Sequence, residues 1–130
     1  GGTPLIAASE NGHAATVEVL LQAGADVDKT MKTEKNKGDT ALIGASLQGH
    51  AAIVKVLLQA GADVDKTAND GLTALMSASE KGHAAVVETL IQAGADVDLA
   101  MNNGRTALTW ARNKGHSAVV KLLLDAGATE

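Results

Sequence analysis

One short pattern is written four times into this chain. Gly12-His13, Gly49-His50, Gly82-His83 and Gly115-His116 recur at intervals of 37, 33 and 33 residues. Thr3, Thr40, Thr73 and Thr106 keep those intervals, as do Gly24-Ala25, Gly61-Ala62, Gly94-Ala95 and Gly127-Ala128. A period of roughly 20 to 50 residues means a stack of like units, because no unit of that length can bury its apolar face alone. In such a chain, function is expected on a surface spread over several units.

Composition narrows the core. Hydrophobic residues make up 45% of the chain, yet Trp110 is its single aromatic side chain apart from the histidines, with no Phe and no Tyr. The layers must therefore be thin and aliphatic. A net charge of −4 argues against a general nucleic-acid binder, since neutralising phosphates needs a basic face. The absence of cysteine rules out a disulfide framework, a thiol nucleophile and a Cys-based zinc site. No apolar run reaches the roughly 20 residues of a membrane helix, and no signal-peptide pattern opens the sequence. The expectation is a soluble, monomeric protein of the cytoplasm or another intracellular compartment, with no membrane partner.

The third copy shows the local grammar. Thr73 is placed to cap a short helix over Ala74–Glu80, and Pro4 after Thr3 suits the first helical position in the first copy. Lys81-Gly82-His83 breaks that helix, because Gly takes the left-handed conformation that ends one. A second helix is predicted over Ala84–Gln92, where Val87, Leu90 and Ile91 keep the spacing of a buried stripe. Between copies, Asn69-Asp70-Gly71 and Asn102-Asn103-Gly104 are turn signals, so each linker should project as a hairpin-like finger.

These residues resemble the ankyrin repeat: a turn, a Thr-Pro-Leu-His helix start, Gly-His, a Val-x-x-Leu-Leu second helix and Gly-Ala-Asp. The resemblance runs from Thr3 to Ala128. It implies an all-α solenoid of helix pairs with β-hairpin-like fingers, a single domain over 1–130, and repeats at about 1–30, 31–67, 68–100 and 101–130. The chain departs from the family where its helix-start His would be, with Ile6, Ile43, Met76 and Thr109 in its place; apolar contact between layers is expected to replace its hydrogen bonds. The resemblance also implies a protein-protein interaction module that binds a partner polypeptide on a concave groove, without catalysis or cofactor. Carried over by position, the groove would present Glu10 and Asn11, then Leu47 and Gln48, then Ser77, Glu80 and Lys81, and finally Trp110, Asn113 and Lys114. A helical turn of about 100° per residue places Ser77, Glu80 and Lys81 opposite buried Leu75. The fingers would add Met31, Lys32 and Lys35, then Thr67, Asn69, Asp70 and Leu72, and then Asn102, Asn103 and Arg105. Trp110, whose counterparts are Ala7, Gly44 and Ser77, would serve either as an anchor in the groove or as a shield over the last repeat.

The first interval is longer by four residues, in a stretch from Lys29 to Lys37 that carries four Lys and one Glu. It is either a solvated loop that tolerates insertion at little cost or a contact for an acidic partner. The N-terminus, opening just before a capping Thr and with apolar Ile6, is expected to be a cut from a longer array. Polar Thr109 and Arg112, at places held by Ile or Met and by Ser in the other copies, are expected to make the last unit a cap. Near-identical copies, such as 22–30 and 59–67, leave open a structural or engineered scaffold without a natural partner.

Metal and catalytic chemistry find little support. The four histidines lie one per layer, about 8 to 10 Å apart, against zinc–nitrogen distances of about 2.0 Å; they are expected to help start the second helices. Asp63-Val64-Asp65 and its copies fail as calcium loops, having Ala68 and Ala74 where Gly and Glu belong, and are better explained by turn capping. No nucleophile comes with a base and an orienting carboxylate. Glu18, Lys55, Glu88 and Lys121 share one place on the second helices and suggest an outer charge ladder.

Overall fold

The first helices of the second, third and fourth units start where a threonine hydroxyl accepts a hydrogen bond from a free backbone amide. Thr40 accepts from Ile43 N at 3.2 Å and Thr73 from Met76 N at 3.3 Å. Thr106 accepts from Thr109 N at 3.3 Å, and the Thr109 hydroxyl returns the contact to Thr106 N at 3.4 Å. Such caps are worth about 1 kcal/mol each. The computed structural model describes residues 4–32 and 37–129, so the cap expected of Thr3 and the Lys35 contact lie outside the described residues.

Four helix pairs result: α1 (Pro4–Glu10) and α2 (Ala14–Gln22), α3 (Ala41–Gln48) and α4 (Ala51–Gln59), α5 (Ala74–Lys81) and α6 (Ala84–Gln92), α7 (Ala107–Asn113) and α8 (Ser117–Asp125). Two strands, β1 (Met31–Lys32) and β2 (Lys37–Asp39), pair antiparallel in the first finger, with Met31 opposite Asp39 and Lys32 opposite Lys37. The other two fingers close as tighter turns. Ala68 N donates to Leu72 O at 2.9 Å in one, and Met101 N to Arg105 O at 2.8 Å in the other.

The first helices α1, α3, α5 and α7 form one row, each packed on the next, and the second helices form a parallel row behind them. Their shared seam is aliphatic. Ile6, Ile43 and Met76 are fully buried in the front row, so apolar contact does fill the positions where the resemblance expects His. Val54, Leu57, Val87, Leu90 and Leu123 fill the rear row. At the ends burial falls away: Val19 is 63% exposed, and in the last unit Arg112 is exposed and Thr109 half-buried.

The Gly-His pairs do more than punctuate. Each histidine occupies the position before its second helix, but none makes a side-chain cap. Each histidine carbonyl accepts the first bond of its second helix, as expected of a helix start, and in three of the four units the ring also reaches back one unit. His50 Nε2 donates to Glu10 O at 3.0 Å, His83 to Leu47 O at 3.0 Å and His116 to Glu80 O at 2.8 Å. Each satisfies a carbonyl in the last turn of the preceding first helix, a group that helix geometry leaves without a partner.

A second set of cross-unit ties runs through the Asp-Val-Asp copies. Asp26, Asp63 and Asp96 accept from the amide two residues on, a local turn. The second aspartate reaches the next unit: Asp28 Oδ1 accepts from Asp63 N, Asp65 Oδ1 from Asp96 N and Asp98 Oδ1 from Thr129 N. Among the described residues, no group of three or more His, Asp or Glu is placed to hold a metal ion, and no helix is long and apolar enough to cross a membrane. Glu18, Lys55, Glu88 and Lys121 are all exposed.

Ser9, Ser46 and Ser79 repeat at one place in the front row, fully buried, with hydroxyls that find no partner. An unsatisfied buried hydroxyl costs about 1 to 3 kcal/mol, and Ala is the better helix former. Ser46→Ala is therefore expected to raise the unfolding free energy by about 1 kcal/mol in urea denaturation. A loss of stability would mean that the hydroxyl has a partner in solution.

Candidate binding groove

The front row and the fingers bound one continuous surface, and its side chains are set by how each first helix ends. Glu10 closes α1 and lies half-buried across the α3 backbone at Gly44. Gly44 permits this approach, since a Cβ there would come within 2.6 Å of Glu10 Cγ. Asn11, beside it, is exposed and donates from Nδ2 to Ala7 O at 2.9 Å. Leu47 is half-buried and Gln48 exposed at the end of α3; Glu80 is half-buried and Lys81 exposed at the end of α5. Asn113 and Lys114 are exposed at the end of α7.

Ser77 does not belong to this surface. It is only 1% exposed, and its hydroxyl donates to Thr73 O at 3.2 Å. A helix with one buried face would present Ser77 outward, whereas α5 is covered by α3 on one side, α7 on the other and α6 behind. Only the C-terminal turn of an inner helix emerges from such a stack. Gly44 is buried for the same reason, while Ala7 and Trp110, in the end units, are not.

The second and third fingers brace one another. Asp70 Oδ1 accepts from Leu72 N at 3.1 Å, and Asn103 Oδ1 from Arg105 N at 3.0 Å, so both turns are held by the same local bond. Asn102 joins the two, its N donating to Asp70 O at 2.9 Å and its Nδ2 to Asn69 O at 3.3 Å. Thr67, Asn69, Asp70, Asn102, Asn103 and Arg105 are exposed and Leu72 is half-buried. Met31 and Lys32 form β1 of the first finger.

Trp110 is half-buried at the edge of the core and ties the third finger to α7. Its Nε1 donates to Met101 Sδ at 3.3 Å, and the Arg105 guanidinium lies over the ring, 4.9 Å from its centroid. The packing against the last unit is that of a shield, and the cation over the ring adds an attraction worth about 0.5 to 1 kcal/mol at an exposed position.

Sequence reasoning missed Asp39. Its signal is available: Asp39, Leu72 and Arg105 each immediately precede a capping Thr, and the resemblance places Leu72 and Arg105 on the groove. Partial burial, and then the Asp70 carboxylate, push the Asp39 carboxyl above its ordinary range; partial burial, and then Asp39, do the same to Glu10. A carboxyl whose pKa is higher folded than unfolded binds its proton more tightly in the native state. Its contribution to stability is therefore lost as pH rises through the window above 4.5 for Glu10 and 3.8 for Asp39. Asp39→Asn removes one such group and relieves the other. The stability difference, variant minus parent, should grow in the variant's favour between about pH 4 and pH 7, as read by urea denaturation across that range. A difference independent of pH would contradict the coupling.

Among protein families, a model described as ankyrin repeats, in three copies, matches residues 1–68 and 45–129. A search of curated proteins returned no match.

Proposed function

This chain belongs to the ankyrin-repeat family, and we propose that it binds a partner polypeptide, without catalysis, along the surface formed by the ends of its first helices and by its fingers. Ankyrin repeats are in general protein-protein interaction modules. The observation that carries the reading for this chain is the contrast between its two rows. The rear helices present evenly spaced exposed charges at Glu18, Lys55, Glu88 and Lys121, a solvated face. The front row presents a varied set at equivalent places: Glu10, Leu47, Glu80 and Asn113, with Asn11, Gln48, Lys81 and Lys114 beside them. Framework residues repeat because stacking demands it; positions that differ from unit to unit are free to carry recognition.

The groove is also preset. Asx turns, the Asn102 bridge and the Trp110 tie hold the second and third fingers before any partner arrives, and order established in advance lowers the entropic cost of binding. The test is to select binders from a displayed random-peptide library against the whole chain and challenge them with charge reversals on each row. Lys81→Glu and Lys114→Glu should weaken the selected binders, and Lys55→Glu on the rear row should not. The opposite pattern, or a failure to select any saturable binder, would overturn the proposal.

A further inference from the structure

Three side chains at one register place change character along the stack. Asp39, Leu72 and Arg105 immediately precede Thr40, Thr73 and Thr106 in successive units, so they form a line across the groove: acidic, apolar, basic. Each end is reinforced by a different element. Glu10, at the end of α1, and Asp70, on the second finger, are electrostatically coupled to Asp39. Arg105 lies over the Trp110 ring and is exposed to solvent. Leu72, half-buried between them, packs against the core. Beyond this line Lys81 and Lys114 add positive charge in the second half, where Glu80 and Asp70 are the acidic side chains of the third unit.

Resting on the groove proposed above, we infer that the occupant is an extended polypeptide segment carrying a basic, an apolar and an acidic side chain in that order, three residues apart. The spacing follows from two lengths. Successive packed helices lie about 8 to 10 Å apart, and an extended chain advances about 3.3 Å per residue, so one unit corresponds to about three residues. A helical partner would need a continuous apolar stripe in the groove, and this line supplies one apolar place flanked by charges. Opposite charge at the two ends fixes register, because a segment displaced by one unit sets its base or its acid against Leu72.

The test uses dye-labelled 15-residue peptides in a Ser/Gly background, titrated at low ionic strength and followed by anisotropy. One carries Lys, Leu and Glu at three-residue steps; a second has Leu and Glu exchanged; a third keeps the order at seven-residue steps, suited to a helix. The first peptide should bind saturably and about fivefold tighter than the others. Arg105→Glu should reverse the choice, favouring a peptide with Lys in place of the final Glu about fivefold over the original; this gain of binding cannot come from misfolding. Equal binding of the exchanged peptide, tighter binding at seven-residue steps, no reversal by Arg105→Glu, or no binding of any peptide at about 1 mM overturns the inference. Library-selected binders that remain sensitive to Lys81 and Lys114 in that event would leave the groove itself intact.

Discussion

Gly82→Ala is expected to lower the unfolding free energy by about 3 kcal/mol, whereas Gly115→Ala, at the same place in the last unit, should cost only about 1 to 2 kcal/mol. Both glycines have φ of 75°, a left-handed conformation that disfavours an L side chain. They differ in what lies opposite. A Cβ on Gly82 would come within 2.6 Å of His116 Nδ1 and 2.7 Å of Cε1; nothing lies within 4 Å of a Cβ on Gly115. The imidazole cannot step aside cheaply, because its Nε2 donates to Glu80 O at 2.8 Å. Displacing it breaks the bond that joins the third unit to the fourth and leaves a helix-end carbonyl without its partner. Urea denaturation of the two variants checks the argument. Equal losses would show that backbone conformation alone selects Gly here and that the histidine contact contributes nothing.

That contact marks the limit of what the sequence discloses. The capping threonines, the glycines that end the first helices and the Val-Leu-Ile stripes act through neighbours a few residues away, so helix over Ala84–Gln92 could be read to the residue. The roles of His50, His83 and His116 depend on carbonyls 36 to 40 residues earlier, a relation that periodicity implies only once the stacking geometry is known. Ser77 failed for a related reason: a wheel drawn for one helix cannot know that two like helices flank it. Most of the groove positions, by contrast, emerge as accessible because they lie at the ends of first helices or on turns, where the stack leaves the chain uncovered whatever the side chain. Asp39 lay at such a place and was passed over because it belongs to the one irregular linker, where the insertion between Lys29 and Lys37 obscured its equivalence to Leu72 and Arg105.

The largest loss is expected from Leu57→Ala, about 3 to 4 kcal/mol, against about 1 to 2 kcal/mol for Leu20→Ala one unit earlier. Both leucines hold the same place in a second helix. Leu57 is fully buried, since α4 packs against α2, α3 and α6; Leu20 is half-buried, since among the described helices α2 packs chiefly against α1 and α4. A stack held by contacts between nearest neighbours distributes the consequences unevenly. With a total stability of about 5 to 15 kcal/mol for a domain of this size, a deficit at Leu57 weakens the coupling of the first unit to the last two and should broaden or split the urea transition. Leu20→Ala leaves the later interfaces whole, so it should accelerate amide exchange in α1 and α2 while α6 and α8 remain protected. Uniform loss of protection along the chain in the Leu20 variant would mean that the units melt as one body and that coupling between neighbours is far stronger than their separate stabilities.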